Sequence, residues 1–574
     1  MFLFDLFRSF LPLRNPLGFG ASDFVEFLLA AVFVALLLSS RAWIEPYGRR
    51  LAEKTGWSML VLGLLPIALR LALLARYPIP EPNVSDDFSY VLLADTLRHL
   101  RLANPPHAFP QFFETYFALQ QPTYSSIFPL GQGLILAIGW IVFGHPWAGV
   151  ALSVGAYCAL CYWMLRAWIS PGWAFLGGLF AVAQAGPLNQ WMNSFWGGAV
   201  SACAGCVVFG ALPRILGRHR RRDAALLGLG LGVQMLTRPF ESVFLTLSAL
   251  VFFLPALRDG LLLRRLLKLA PIAIAASLPA LALIALHNRS VTGSFSTMPY
   301  MLSRDQYGVP TTFTVQPLPV PHRVLTPQQQ LGYETQSIVH GANTDTFSTY
   351  WARLAGRIRF YRFFLLAPLY LAIPFFLLAA KQYRFAWVVI TIAIFALGTN
   401  FYPYFYTHYI AAEACLFILI AMAGLGRLSE VKISGQPTGQ TAAPLLLFLC
   451  AAHFVFWYGL HALGTDDMLA TMRQFETWDA INHGDPDGRV AINRQLDKIP
   501  GKLVVFVRYS PRHQLVEWVH NGADVDAARI VWARDLGPEE DRTLLRYYPG
   551  RKPWLLEPDV RPPKLSPYPG QTAR

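Results

Sequence analysis

Apolar runs long enough to cross a bilayer recur along most of this chain, and that pattern limits what it can fold into. A spanning helix needs about 20 mostly apolar residues. By that criterion about twelve spans are expected, at 22–40, 57–76, 147–168, 172–188, 195–216, 224–237, 239–257, 270–286, 363–380, 385–399, 408–426 and 443–461. Of the 574 residues, 54% are hydrophobic and only 14% are charged, whereas a soluble chain carries about 25% charged residues. The composition therefore excludes a soluble multidomain enzyme, a disordered chain and a nucleic-acid-binding factor. No nucleic-acid partner is expected, despite a formal net charge of +14. The predicted class is an α-helical polytopic membrane protein, surrounded by membrane lipids.

The positive charge serves to orient the chain. Basic clusters at Arg41–Lys54, Arg214–Arg222, Arg258–Lys268, Lys381–Arg384 and Arg427–Lys432 fall in alternate loops, on one side, as expected of the cytoplasm. Segments 77–128, 287–362 and 462–574 then lie outside. The apolar run 129–143 opens on Pro129. It would break the parity of crossings, so it is expected to lie in the interface as a juxtamembrane helix. The first span, which follows Arg8 and Arg14, lacks a small-residue cleavage signal and is read as retained. All six cysteines lie in apolar runs. Their two C-x-x-C pairs read as packing residues, not as a metal site.

The chain divides into a transmembrane domain over 1–461 and a C-terminal domain over 462–574. In the tail, 502–508, 529–534 and 552–556 read as strands, and stretches around 511–520 and 538–547 read as helical. Strands alternating with helices predict a small α/β domain outside the membrane.

Polar residues gather on the outer side. Asp86 and Asp87 follow the second span within Ser85-Asp86-Asp87-Phe88-Ser89-Tyr90. Capping a helix is one use for such a pair. General-base chemistry is another, because an adjacent carboxylate raises the pKa of its neighbour. Gln121–Pro129, containing Tyr124, leads into the interfacial helix. Asn193–Gly198, Thr237-Arg238-Pro239 and the aromatic turn Asn400–Tyr409 complete the outer set. Arg238 has the planar fork that grips phosphate oxygens, or else it snorkels at the interface. Four arginines in Trp351–Arg362 are either lipid-headgroup ligands or part of an ordinary interfacial helix.

An acidic pair in the first outer loop, a Pro-rich entry to a juxtamembrane helix, a Thr-Arg-Pro turn and a late His-Tyr element together resemble the GT-C glycosyltransferases. The resemblance covers roughly 57–430. It is closest to the protein O-mannosyltransferase, lipid A aminoarabinose transferase and Rgt-like branches. It implies a polyprenyl-phosphate-linked sugar donor and inverting transfer at the outer membrane face. Asp86 matches the acidic residue that acts as base, and Asp87 stands where relatives usually carry Glu. This departure leaves the division of roles between Asp86 and Asp87 open. Tyr90 matches the following aromatic, and Arg238 a basic residue near the lipid phosphate. His408 and Tyr409 resemble the late His-Tyr element. Tyr124 and Arg289 join them as substrate-binding candidates.

The expected acceptor is a protein, a glycan or a lipid, and the expected location is a bacterial cytoplasmic membrane. Two carboxylates could hold Mg²⁺ or Mn²⁺, but no full ligand set is visible and no metal-ligating residue is assigned. A transporter or flippase of a lipid-linked substrate is the alternative reading, as is a non-enzymatic envelope assembly protein. Few span centres carry charge, Arg70 being the clearest exception, whereas transport paths usually place ionisable groups near the midplane.

Overall fold

The computed structural model describes residues 21–341, 345–465, 467–468, 481, 488–513 and 516–569. Arg8 and Arg14 lie outside the described residues. The chain is mostly helical. It runs through α1 (Ala21–Glu53), α2 (Thr55–Ala72), α3 (Ser85–Arg98), α4 (Leu130–Phe143), α5 (Trp147–Leu165), α6 (Pro171–Ala185), α7 (Ala199–Arg218), α8 (Arg221–Thr237), α9 (Pro239–Phe252) and α10 (Gly260–Thr292). The long connection that follows holds α11 (Pro299–Tyr307), α12 (Pro327–His340) and α13 (Phe347–Tyr361). Then come α14 (Ile373–Ala379), α15 (Tyr383–Thr399), α16 (Ala414–Ser429) and α17 (Gly439–Leu463).

Among the described residues, seven helices are long and apolar enough to cross a membrane, fewer than the twelve spans expected. Of the remaining expected spans, 22–40 lies within the 33-residue α1, and 172–188, 224–237 and 385–399 fall on helices of 15 to 17 residues. The run 363–380 departs most: it opens in tight 3₁₀ turns, and only Ile373–Ala379 is α-helical. Pro368 and Pro374 lie in it, and each removes a backbone donor. The cysteines behave as packing residues, with Cys158, Cys161, Cys206, Cys415 and Cys450 all buried.

Helix α4 acts as a spacer that sets α3 against the end of α8. Its first turn reads Gly131-Gln132-Gly133. A Cβ at Gly131 would run into Thr237, and one at Gly133 into the Leu93 side chain of α3. Between the two glycines, Gln132 Nε2 donates to the Phe195 carbonyl at 2.9 Å. Two glycines and an amide thus bring the aspartate helix, the Arg238 turn and residues 194–198 together.

Segment 186–198 is mostly irregular backbone with a single short helical turn, Gln190–Asn193, yet it is largely buried. Such backbone is tolerated at depth only where protein groups satisfy it. Arg70 is fully buried at the last turn of α2. It donates to Asn193 Oδ1 at 2.7 Å and to the carbonyls of Tyr77 and Pro78 at 2.9 and 3.0 Å. Trp147 Nε1 donates to the Met192 carbonyl, and Gln190 Nε2 to Thr407 Oγ1.

A C-terminal sheet unit follows. It contains α18 (Arg489–Asp497) and α19 (Pro538–Tyr547), with Pro at the first turn of α19 and Glu539, Glu540 and Asp541 near the positive end of its dipole. The two-residue strands β1 (Ala118–Leu119) and β2 (Ser125–Ser126) pair antiparallel between α3 and α4. The tail contributes β3 (Leu503–Val507), β4 (Ile530–Arg534), β5 (Lys552–Glu557) and β6 (Lys564–Pro567), in the order β4-β3-β5-β6. Strand β3 is parallel to β4 and β5, and β5 is antiparallel to β6. All five residues of β3 are buried, as expected of a central strand covered on both faces. Leu503, Val505 and Val507 pack with Ile492 and Leu496 of α18, while Val504 and Phe506 pack with Phe112, Phe113, Ala118 and Tyr124. The segment 109–124 therefore forms one layer of the C-terminal unit.

The helix expected around 511–520 is absent among the described residues there: a turn at Pro511-Arg512 leads into non-helical chain over 516–520. Tertiary bonds override the local pattern. Glu517 accepts from Thr115 Oγ1 and the Tyr116 N–H, and the Trp518 N–H donates to the Tyr509 hydroxyl at 2.7 Å.

Phe506 is fully buried and packs against Phe112 and Tyr568. Phe506→Ala is expected to destabilise the sheet unit by about 3–5 kcal/mol. Limited proteolysis within the sheet unit, over 516–569, should then begin at lower temperature during a thermal ramp than in the wild type. An unchanged cleavage profile would contradict the shared core.

Candidate active site

The acidic pair opens α3, and its two members have different surroundings. Asp87 is buried, and its carboxylate accepts three backbone N–H groups: Phe195 at 2.7 Å, Asn83 at 3.2 Å and Val84 at 3.5 Å. It thus caps its own helix and ties it to segment 194–198. Burial pushes its carboxyl up to about 6, with the N–H donors opposing that rise. Asp86 is half-buried. Burial, then the neighbouring Asp87 charge, lifts its carboxyl to about 6, while Arg238 pulls the other way. Of the pair, Asp86 is the less buried and accepts none of these three N–H groups.

Tyr90 lies one turn further along α3, on the same face as Asp86. It stacks on Phe128 at 4.4 Å, just before α4, and its hydroxyl is pushed up to about 12 by burial. Arg238 joins α8 to α9 with a backbone that belongs to neither helix. Its guanidinium carbon lies 4.5 Å from the centre of the Tyr409 ring, and its Nη1 is 3.7 Å from Glu241. Tyr90 and Tyr409 each fall within electrostatic reach of Asp86, Arg238 and Glu241.

Two members of this cluster were missed as site residues in the sequence. Glu241 follows Arg238 by three residues across the start of a helix, a spacing that brings the two side chains together. Tyr404 approaches Asp86 from the aromatic turn, and burial followed by the Asp86 charge raises its hydroxyl to about 12. No spacing signal marks Tyr404, because it reaches the site only through long-range packing.

His408 is buried beside this group. Its ring meets Trp196 edge-on at 4.7 Å and lies 5.8 Å from Tyr406. Its Nδ1 is buried without a hydrogen-bond partner among the described residues. The aromatic turn itself is held by α13. Arg353 donates to the Asn400 carbonyl at 2.9 Å, and Arg357 to the carbonyls of Thr399 and Pro403 at 2.9 and 3.0 Å. Those two arginines are used as backbone clamps rather than as headgroup ligands.

Two sequence candidates are not brought to the cluster. Tyr124 is buried in the core shared with the C-terminal sheet, and its hydroxyl donates to the Asn521 carbonyl at 2.9 Å. Its position beside a Pro-rich entry segment gave no sign that a distant sheet would cover it. Arg289 is exposed in the last turn of α10, donates to the Gly293 carbonyl and lies over Phe295. There it serves as a C-terminal helix cation.

A resident divalent cation does not fit these residues. Such an ion needs several converging oxygen ligands. Asp87 already accepts backbone N–H groups at both oxygens, and Glu241 faces Arg238. Among the described residues no group of three or more His, Cys, Asp or Glu converges.

The C-terminal unit leans on α3 next to the acidic pair. Phe88 stacks on His520 with ring centres 3.9 Å apart, Arg489 covers Phe88, and Asp95 accepts the Ala523 N–H at 2.6 Å.

No family model matches the sequence, and no curated protein matches it. Among solved structures, the chain is similar to ArnT from Cupriavidus metallidurans bound to undecaprenyl phosphate, with 13% identity and a TM-score of 0.47 over 88% of this chain and 93% of that one. The apo state of the same protein gives 14% and 0.46 over the same shares. The Archaeoglobus fulgidus oligosaccharyltransferase in complex with Zn and sulfate gives 13% and 0.44, over 87% of this chain and 67% of that one.

The division within the acidic pair has a direct test in stability. Asp87→Asn turns one acceptor oxygen into a donor facing N–H groups, and should cost about 2–3 kcal/mol. Asp86→Asn should cost nothing, or stabilise slightly, since it removes a charge whose burial is unfavourable. Thermal unfolding of the two purified variants in detergent measures the difference. Equal melting points would contradict the assignment.

Proposed function

We propose that this chain is an integral membrane glycosyltransferase of GT-C type, moving a sugar from a polyprenyl-phosphate donor to an acceptor at the outer face of a bacterial cytoplasmic membrane. One observation carries the reading: of two adjacent aspartates, Asp87 is bound by backbone N–H groups while Asp86 stays available, with Arg238 near enough to share its field.

The chemistry needs these two charges. Asp86 takes the proton from an acceptor hydroxyl. The acceptor oxygen attacks the anomeric carbon, the bond from that carbon to the phosphate oxygen breaks, and the configuration inverts. The polyprenyl phosphate leaves as a stable anion, so no general acid is required. Arg238 meets that anion with a fixed fork of N–H donors and stabilises the charge that develops on it. Tyr409 lies under the guanidinium and Glu241 at its flank, and both limit its rotation. Trp196, Tyr406 and His408 supply aromatic surface on which a sugar ring can stack. Transport of a lipid-linked substrate has less support, since Arg70 is fully committed to Asn193 and two backbone carbonyls at the end of α2.

The assay is transfer of labelled sugar from polyprenyl-phosphate donors by the purified protein in nanodiscs. Asp86→Asn should lower kcat/KM by about 10²–10⁴. Full activity in that variant would remove the mechanism. Arg238→Gln should lower kcat by about 10²–10³, with a smaller change in KM. The pH dependence has a definite sign: a base must be deprotonated, and the Asp86 carboxyl is raised to about 6. The rate should therefore be full above neutral pH and fall as pH drops through about 6. A profile flat from 5 to 8 would contradict Asp86 as the base.

A further inference from the structure

A second basic site lies at the other end of α7 and α8. Helix α8 ends beside Arg238 and begins at Arg221, so the two ends are about 25 Å apart by helical rise. Between this end of α8, the end of α7, the end of α5 and the start of α15 lies a cavity of about 830 Å³, within the roughly 300–1,000 Å³ range of small-molecule sites. Arg166, Arg214, Arg218, Arg222 and Arg384 line it, with Asp223 as the only carboxylate in the lining.

The guanidiniums are positioned by neutral groups. Arg214 lies 3.8 Å from the centre of the Trp163 ring and donates to the carbonyls of Gly210 and Trp163 at 2.6 and 2.7 Å. Arg384 lies over Trp168 and donates to the Ala167 carbonyl at 2.7 Å. Arg166 donates to the Ala52 carbonyl at 3.2 Å. Carbonyls and rings fix the direction of a guanidinium without cancelling its charge. Asp223 is buried, 3.8 Å from Arg222 Nε, and its Oδ2 has no hydrogen-bond partner among the described residues. Five cations face one anion in a concave space, which concentrates positive potential. Orientation by loop charge alone requires basic residues near a bilayer surface. It does not require guanidiniums seated on tryptophan rings inside a cavity.

We propose that this cavity binds a phosphate-bearing anion, at the end of the helix bundle opposite Asp86. The planar guanidinium fork matches phosphate oxygens in pairs. The phosphate can come from an anionic phospholipid headgroup or from a soluble phosphate. Leu226 and Phe252 give the cavity apolar wall as well as charge.

The test uses the full chain in phosphatidylcholine nanodiscs, with two probes. Native mass spectrometry counts phosphatidylglycerol retained when that lipid is added. Thermal unfolding reads stabilisation by inorganic pyrophosphate. Arg218 and Arg222 are exposed at the rim, so R218Q/R222Q should fold normally and weaken the bound probe about tenfold. D223N removes the competing carboxylate and should strengthen binding by about threefold. Retention of phosphatidylglycerol alone, with both variants shifting it as stated, supports a lipid source. Stabilisation by pyrophosphate with the same two shifts supports a soluble one. Failure of both probes to bind, or binding unchanged in both R218Q/R222Q and D223N, overturns the proposal.

Discussion

Irregular backbone buried among helices is the constraint on which this structure depends. Segment 186–198 crosses the interior without a full helix to satisfy its polar groups, so side chains from other elements must do it. Arg70 from α2, Asp87 from α3, Gln132 from α4 and Trp147 from α5 all bond to it, and it reaches Thr407 in return. Each bond fixes a helix end as well as a loop atom. Gly198 turns with φ of +143° against the Trp191 ring, where a side chain would collide, and so lets α7 start immediately. The position of Asp87, and with it the direction of Asp86, follows from this junction.

That dependence explains why two neighbouring residues of one type diverge. Both aspartates are raised to about 6 by burial. One is surrounded by N–H donors, and the other faces a guanidinium and a phenol. Asp87 is spent on holding the scaffold, whereas Asp86 accepts none of those N–H groups.

Much of the site was legible because it rests on local order. Asp86 and Tyr90 are a helical turn apart, and Arg238 and Tyr409 lie in Pro-marked or aromatic turns that punctuate apolar runs. The rest depended on contacts between distant segments. Tyr404 reaches Asp86 only because Arg353 and Arg357 draw the turn 399–403 toward α13. Tyr124 was read as a substrate-binding candidate, yet Phe506 and its neighbours cover it from some 380 positions away. In the tail, the strands over 503–507, 530–534 and 552–557 were readable from apolar, β-branched runs. The fourth strand, Lys564–Pro567, lacks such a run, and α18 begins at a glycine with positive φ beyond any clear cap signal. The membrane spans were legible as apolar runs, but prolines within 363–380 divide that run into short turns.

The shared core between segment 109–124 and the terminal sheet also sets an order of events during synthesis. Asp95 is made early, while the Ala523 N–H it accepts appears 428 residues later. At ribosomal rates of about 5–20 residues per second, that interval is roughly 20–90 s. Throughout it, Phe112, Phe113 and the outer flank of α3 lack their final cover. The acidic pair is thus among the first features of the site to be made and among the last to be secured. A chain that stops short of its final sheet would carry the acidic pair without the layer that packs against its helix.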